Sequence, residues 1–243
     1  DLMVGSHDAW AMNNSIDIQQ LVSANSSRMT YDFVYGFGMY QKAPLRKGLR
    51  FTSLTENDVV VMPHVQGNLR FIGCARATVL ANCSYEGAVV VEGKDKTRDG
   101  LLGFQTRLAT IVSHGLYLRD NQNIVMSDFY VEQADNGHFF EGTADDPPGR
   151  ATITGAKFHS FPSQDPAKNN LLDISNYHGQ IFIGPYQFYQ DPKRMRIKQQ
   201  GAAKVELLLL ACSWYGARPD PQLSPAATLL AVGNEFYGAW LEG

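Results

Sequence analysis

The stretch Leu116-Tyr117-Leu118-Arg119-Asp120-Asn121-Gln122-Asn123-Ile124-Val125-Met126-Ser127-Asp128-Phe129-Tyr130 decides how this chain folds. Ile124 and Met126 are two apart, which is one inward-facing pair on a strand. The next apolar residue, Phe129, comes three later and breaks the alternation, so the chain turns a corner there. Val131, two further on, opens another strand. The template is apolar at positions 0, +2, +5 and +7.

The same broken spacing returns along the chain. Ala151, Ile153, Ala156 and Phe158 carry it, then Ile181, Ile183, Tyr186 and Phe188, then Leu207, Leu209, Cys212 and Trp214. Leu229, Ala231, Asn234 and Phe236 form a fifth row with one polar exception. Row starts at 124, 151, 181, 207 and 229 fall 22 to 30 residues apart. A corner recurring at that interval describes a coil stacked on itself. Leu69, Phe71 and Cys74 read as an earlier row, with Ile16, Ile18 and Leu21 a weaker one. A second strand precedes each row: Leu116 to Arg119, His138 to Glu141, Leu171 to Ile174, and Met195 to Lys198. The sequence therefore predicts an all-β, parallel β-helix of three-strand coils over residues 59–243. Residues 1–58, rich in aromatics (Trp10, Tyr31, Phe33, Tyr35, Phe37, Tyr40), read as incomplete coils or a loop packed on the solenoid. The competing reading, strands of an antiparallel sandwich falling into line by accident, has to explain five consecutive rows.

Composition bounds the rest. The chain has 243 residues, a net charge of −3, 44% hydrophobic and 19% charged residues, an ordinary globular balance that excludes disorder and a highly charged tail. The longest apolar run, Val205 to Gly216, contains Glu206 and is too short to span a membrane. Three cysteines cannot all pair within one chain. Cys74 and Cys212 share the +5 position and read as small buried hydrophobes, while Cys83 has Cys74 within loop reach. Asn13-Asn14-Ser15, Asn25-Ser26-Ser27 and Asn82-Cys83-Ser84 match the glycosylation pattern, a short match that arises readily by chance.

The coil from Leu116 to Tyr130 resembles those of the right-handed parallel β-helix (pectin-lyase-like) superfamily, with Asn123 where such coils often place a turn asparagine. The resemblance runs from about residue 59 to 238. It implies a secreted or cell-surface, carbohydrate-active protein: polysaccharide lyases, glycoside hydrolases, epimerases, esterases, phage tailspikes and adhesins share the fold, and fold does not choose among them. It also implies that the strand before the corner lines the substrate groove.

On that groove the alternation turns Tyr117 and Arg119, Phe139 and Glu141, Asp173 and Ser175, and Arg196 and Lys198 outward. Stacked as Arg119, Glu141, Asp173 and Arg196, the strip puts Glu141 and Asp173 on adjacent rungs about 4.8 Å apart, near the ~5–5.5 Å of a retaining glycosidase pair. These two are the candidate catalytic residues, with Tyr117, Arg119, His138, Arg196 and Lys198 as candidate substrate-binding residues. Against this stands a salt ladder, two acids between two arginines. Lys193, Arg194, Arg196 and Lys198 suit the carboxylates of an acidic polysaccharide, or β-elimination with Tyr117, His138 or Arg196 nearby. A solvated face explains them equally.

Tyr130, His159, Tyr189, Tyr215 and Tyr237 stand beside the +7 positions as an outward aromatic series, suited to a partner segment or to sugar rings. Expected partners are a polysaccharide and another chain or domain capping the solenoid ends, including a homo-oligomer. A side-by-side trimer would bury the tyrosine series. Nucleic acid is disfavoured by the net negative charge and the absence of a recognition motif. No cofactor is expected. Asp145-Asp146 is a candidate calcium loop, yet two adjacent aspartates supply too few oxygens, and the six histidines show no zinc-ligand spacing. Gly36-Phe37-Gly38 lacks the third glycine of a phosphate loop. The preferred function is cleavage of a polysaccharide glycosidic bond; the alternative is a non-catalytic glycan-binding or structural β-helix such as a tailspike, stalk or adhesin.

Overall fold

In the computed structural model the chain is a parallel β-helix. The described residues are 16–17, 29–32, 49–52, 54, 58–61, 65–66, 69–81, 85–86, 89–93, 99–106, 115–127, 131–134, 137–160 and 170–237. All their strand pairings are parallel, and no helix occurs among them. A nine-stranded sheet forms one face. A twelve-stranded sheet forms the other two in the later coils, because the strands Tyr186–Gln200 and Ser213–Gln222 run through a corner and join them, and Val65–Gln66 pairs with Tyr85–Glu86 as a separate two-stranded sheet.

One coil shows the logic. Leu116–Arg119 lies on the first face, Asn123–Ser127 on the nine-stranded sheet and Val131–Ala134 on the third face, and His138–Glu141 starts the next coil above Leu116–Arg119. The five row starts are true rungs, Ile124 on Ala151, Ile181, Leu207 and Leu229. The +7 positions stack likewise, Val131 on Phe158, Phe188, Trp214 and Phe236. Ile124, Met126, Ile153, Ile183, Phe188 and Trp214 are buried in one continuous core, and Phe188 stacks on Trp214 with ring centres 4.3 Å apart. Ile124, Ile153, Ile183, Phe188 and Trp214 are covered by neighbouring rungs, which is how a solenoid buries apolar surface.

Two row assignments need correction. Leu69–Ile72 pairs with Leu49–Thr52 and Val89–Glu92 in the twelve-stranded sheet, so Leu69, Phe71 and Cys74 sit in the column of Leu116, not that of Ile124. Ile16 likewise pairs with Leu49. An in-out-in strand followed by a corner reads alike on either face, so local spacing did not separate them. The described strands within 1–58 join the same two sheets.

Cys74 and Cys212 are buried free thiols, as their apolar reading requires. Cys83, all three glycosylation-pattern matches, Gly36 to Gly38, Tyr130 and His7, His64 and His114 lie outside the described residues. The core thins at the last described coil: Leu207 is buried, whereas Leu229 above it is half-buried and Phe236 is 45% exposed.

Candidate functional site

The first face, that of Leu116–Arg119, carries a bonded strip. Arg70 meets Glu92 at 2.6 Å, Glu92 also receives Arg119 at 3.4 Å, and Arg119 Nε donates to Glu141 Oε2 at 3.2 Å. The Tyr117 hydroxyl donates to the same Glu141 oxygen. Arg119 lies 4.8 Å over the Tyr117 ring, and that ring stacks on Phe139 at 5.7 Å. These contacts follow from the parallel register, which sets Tyr117 beside Phe139 and Arg119 beside Glu141. The Tyr117 hydroxyl titrates above its usual range, mainly because of its partial burial and then because it donates to Glu141. Arg119 is held charged, first by its hydrogen bond with Tyr117. The strip is a network of ion pairs, the Arg119–Glu141 pair solvent-exposed and worth at most about 1 kcal/mol, the two on Glu92 part-buried, with a cation–π contact and aromatic stacking beside them.

The register separates the proposed acid pair. Asp173 sits opposite Phe139 and Lys198, while Glu141 continues toward Ser175 and Gln200. Both acids face outward on neighbouring strands, but two residues out of line. Their backbone separation is then on the order of 8 Å, one strand spacing crossed with two residues of rise. Burial fixes which side chains point out; it leaves open which of two outward columns each one joins. A register irregularity between Asn170 and Leu172 adds to this: Leu171 and Leu172 are both buried, and Arg196 pairs with Asn170 on one side and Asp220 on the other. Arg196 and Lys198 are half-exposed on this face. Of Lys193 and Arg194 the structure describes the strand only.

His138 is a correction. It is 1% exposed, faces inward between Leu116 and Leu172, and cannot touch a polysaccharide outside the coil. Its own strand pattern, His138 and Phe140 inward with Phe139 and Glu141 outward, carries that signal.

Glu92 and Arg70 were missed, although Arg70 between Leu69 and Phe71 reads as outward. The corner asparagine is also displaced from expectation. Asn123 accepts the Arg150 N–H at 2.8 Å from the coil surface. Asn121 is the fully buried one, donating to the Thr143 carbonyl at 2.8 Å and accepting the His178 N–H at 3.0 Å, so one side chain ties three coils. It holds φ at +51°, a left-handed value that asparagine tolerates. Gly142 makes room for it, since a Cβ there would fall 1.8 Å from Asn121 Oδ1.

On the third face Tyr189, Tyr215 and Tyr237 stack at 4.4 and 4.7 Å with nearly parallel rings. His159 precedes Tyr189 in that column, and the rung before it is Glu132 rather than Tyr130. Tyr215 has both ring faces covered by its neighbours, while Tyr237 at the end of the stack is 45% exposed. Asp146 offers its carbonyl to His178 Nδ1 at 3.1 Å. Among the described residues no three His, Cys, Asp or Glu side chains converge as a metal-holding group. No helix among them is long and apolar enough to cross a membrane.

No family model, curated protein or solved structure matches this chain.

Proposed function

We propose that this protein is a glycan-binding β-solenoid that lays a polysaccharide along the strip Arg70, Glu92, Arg119, Glu141 and Tyr117. The observation that carries the reading is the Arg119 cluster: a guanidinium fixed between two carboxylates and over a tyrosine ring, exposed on a rigid parallel sheet. Charge-assisted donors and acceptors held in place recognise sugar hydroxyls and carboxylates with little ordering cost. The assignment to sugar also leans on the resemblance of the coils, which is an analogy of fold.

A cleavage reading has one specific observation behind it. Glu141 and Asp173 face outward on adjacent strands, their backbones about 8 Å apart; an inverting hydrolase sets two carboxyls ~6.5–9.5 Å apart, one acid protonating the leaving oxygen and the other activating water. The Glu141 carboxylate is engaged by Tyr117 and Arg119, on the strand away from Asp173. Elimination is less favoured, because Tyr117 is raised above its usual range and makes a poor base near neutral pH.

A panel of acidic and neutral polysaccharides tests both readings, with binding followed by calorimetry, reducing ends by colorimetry, and a new double bond by ultraviolet absorbance. Binding without product, lost in Arg119→Ala, supports the binding function. Reducing ends of inverted anomeric configuration, abolished by both Glu141→Gln and Asp173→Asn, would replace it with hydrolysis. No binding to any polysaccharide would refute the assignment.

A further inference from the structure

On the first face the outward residues include Tyr117, Arg119, Phe139, Glu141 and Asp173, with Ile72 and Val90 as apolar members; the outward side of the nine-stranded sheet carries a denser apolar column. Its central column runs Val125, Thr152, Phe182, Leu208 and Leu230 over five successive coils. Beside it Leu210 lies under Val232. Val125, Leu210, Leu230 and Val232 are 38%, 37%, 55% and 45% exposed, and Phe182 and Leu208 are half-buried. A column of four apolar side chains and one threonine, flanked by exposed Leu210 and Val232, is the kind of patch that marks an interaction surface. On the other flank stands a column of Arg150, Gln180 and Glu206, all exposed, with Gln180 donating to Glu206 at 2.7 Å.

These columns are self-complementary in one orientation. A two-fold axis along the strands, passing through the Gln180–Phe182 rung, sets two solenoids face to face and antiparallel. Phe182 then meets Phe182 of the second copy, Thr152 meets Leu208, and Val125 meets Leu230. The flanking column turns onto itself with Arg150 against Glu206, twice. In the parallel arrangement the charge column instead faces the Thr154–Leu210 side, and neither charge finds an opposite. The geometry points to a second copy of this chain as the occupant, in an isologous antiparallel dimer. The face measures roughly 20 Å by 24 Å, from six residues of strand and five coils. Some 500 Å² per copy is below the ~800 Å² per partner of a stable complex, so the pair is weak, reversible and sensitive to salt through its rim charges. The strip around Arg119 lies on another face and is left open in both copies.

Sedimentation velocity over a wide concentration range tests this. The expected result is a monomer–dimer equilibrium. Glu206→Arg places two arginines against each other twice and should weaken the dimer about tenfold or more; combining it with Arg150→Glu restores opposite charges and the dimer. Geometry is read by cross-linking: Phe182→Cys should link to itself, and Val125→Cys should link to Leu230→Cys in a mixture but not to itself. Circular dichroism checks that each variant keeps its β-spectrum. A monomer at every concentration, a trimer, self-linking of Val125→Cys, or a double charge swap that fails to restore association would each overturn the proposal.

Discussion

Replacing Asn121 with alanine should cost far more than the same change at Asn123, two residues along the same corner. Asn121 makes two cross-coil hydrogen bonds, to the Thr143 carbonyl at 2.8 Å and from the His178 N–H at 3.0 Å, with no exposure to water. Each such bond contributes about 1 kcal/mol net, and part-buried partners left unmatched add a further fraction of the ~1–3 kcal/mol desolvation penalty. Alanine at φ +51° gives up the local tolerance of asparagine for left-handed backbone, roughly 1 kcal/mol more. The sum is about 3–4 kcal/mol. Asn123→Ala removes one partner of a strand N–H on a face that water reaches, about 1 kcal/mol. For a chain of this size the two should lower Tm by roughly 6–15 °C and 2–4 °C respectively. Parallel thermal melts followed by circular dichroism, with urea midpoints as a second measure, make the comparison. If the two variants melt within about 2 °C of each other, the tie across three coils is not what holds this corner.

Two further outcomes follow from the core. Burial raises the Tyr177 and Tyr186 hydroxyls well above 10 and pushes the Cys212 thiol up to about 12. The unfolded chain loses these protons first, so their contribution is whole below about pH 8.5 and falls as pH rises, by up to ~1.4 kcal/mol per pH unit for each group. Urea midpoints between pH 8 and 11 should therefore drop, and Tyr177→Phe should flatten the slope; an unchanged slope would contradict it. Gly179 sits at φ +145°, and a Cβ there would fall 2.0 Å from the Gly149 carbonyl oxygen of the coil below. Gly179→Ala should yield insoluble or strongly destabilised protein, whereas a soluble variant with near-native Tm would refute the close stacking of these coils.

The solenoid was legible because its constraint is periodic. Ile124, Ala151, Ile181, Leu207 and Leu229 each occupy the same place in a coil, and burial against identical neighbours repeats the same demand at each turn. The candidate site was legible only by parity. Tyr117, Arg119, Glu141, Asp173, Arg196 and Lys198 alternate with buried residues, so their outward direction follows from strand pleating. His138 fell to the same rule, since its place between Leu116 and Leu172 was written in the alternation but outweighed by the chemistry of its ring.

Sequence alone thus determined the parallel coil, its corners, the inward rows and the apolar character of Cys74 and Cys212. Those are local properties, set by side-chain period and solvent exclusion within a single coil. The salt ladder read from the sequence holds for Arg119 and Glu141; only the tertiary structure decided that Asp173 leaves that column to stand beside Phe139 and Lys198, that Asn121 rather than Asn123 locks the corner, and that Leu69 belongs to the column of Leu116. Each depends on how one coil slides against the next. A shift of two residues along a strand preserves every inward and outward assignment, so it leaves no trace in the pattern and is settled by the packing of the whole stack.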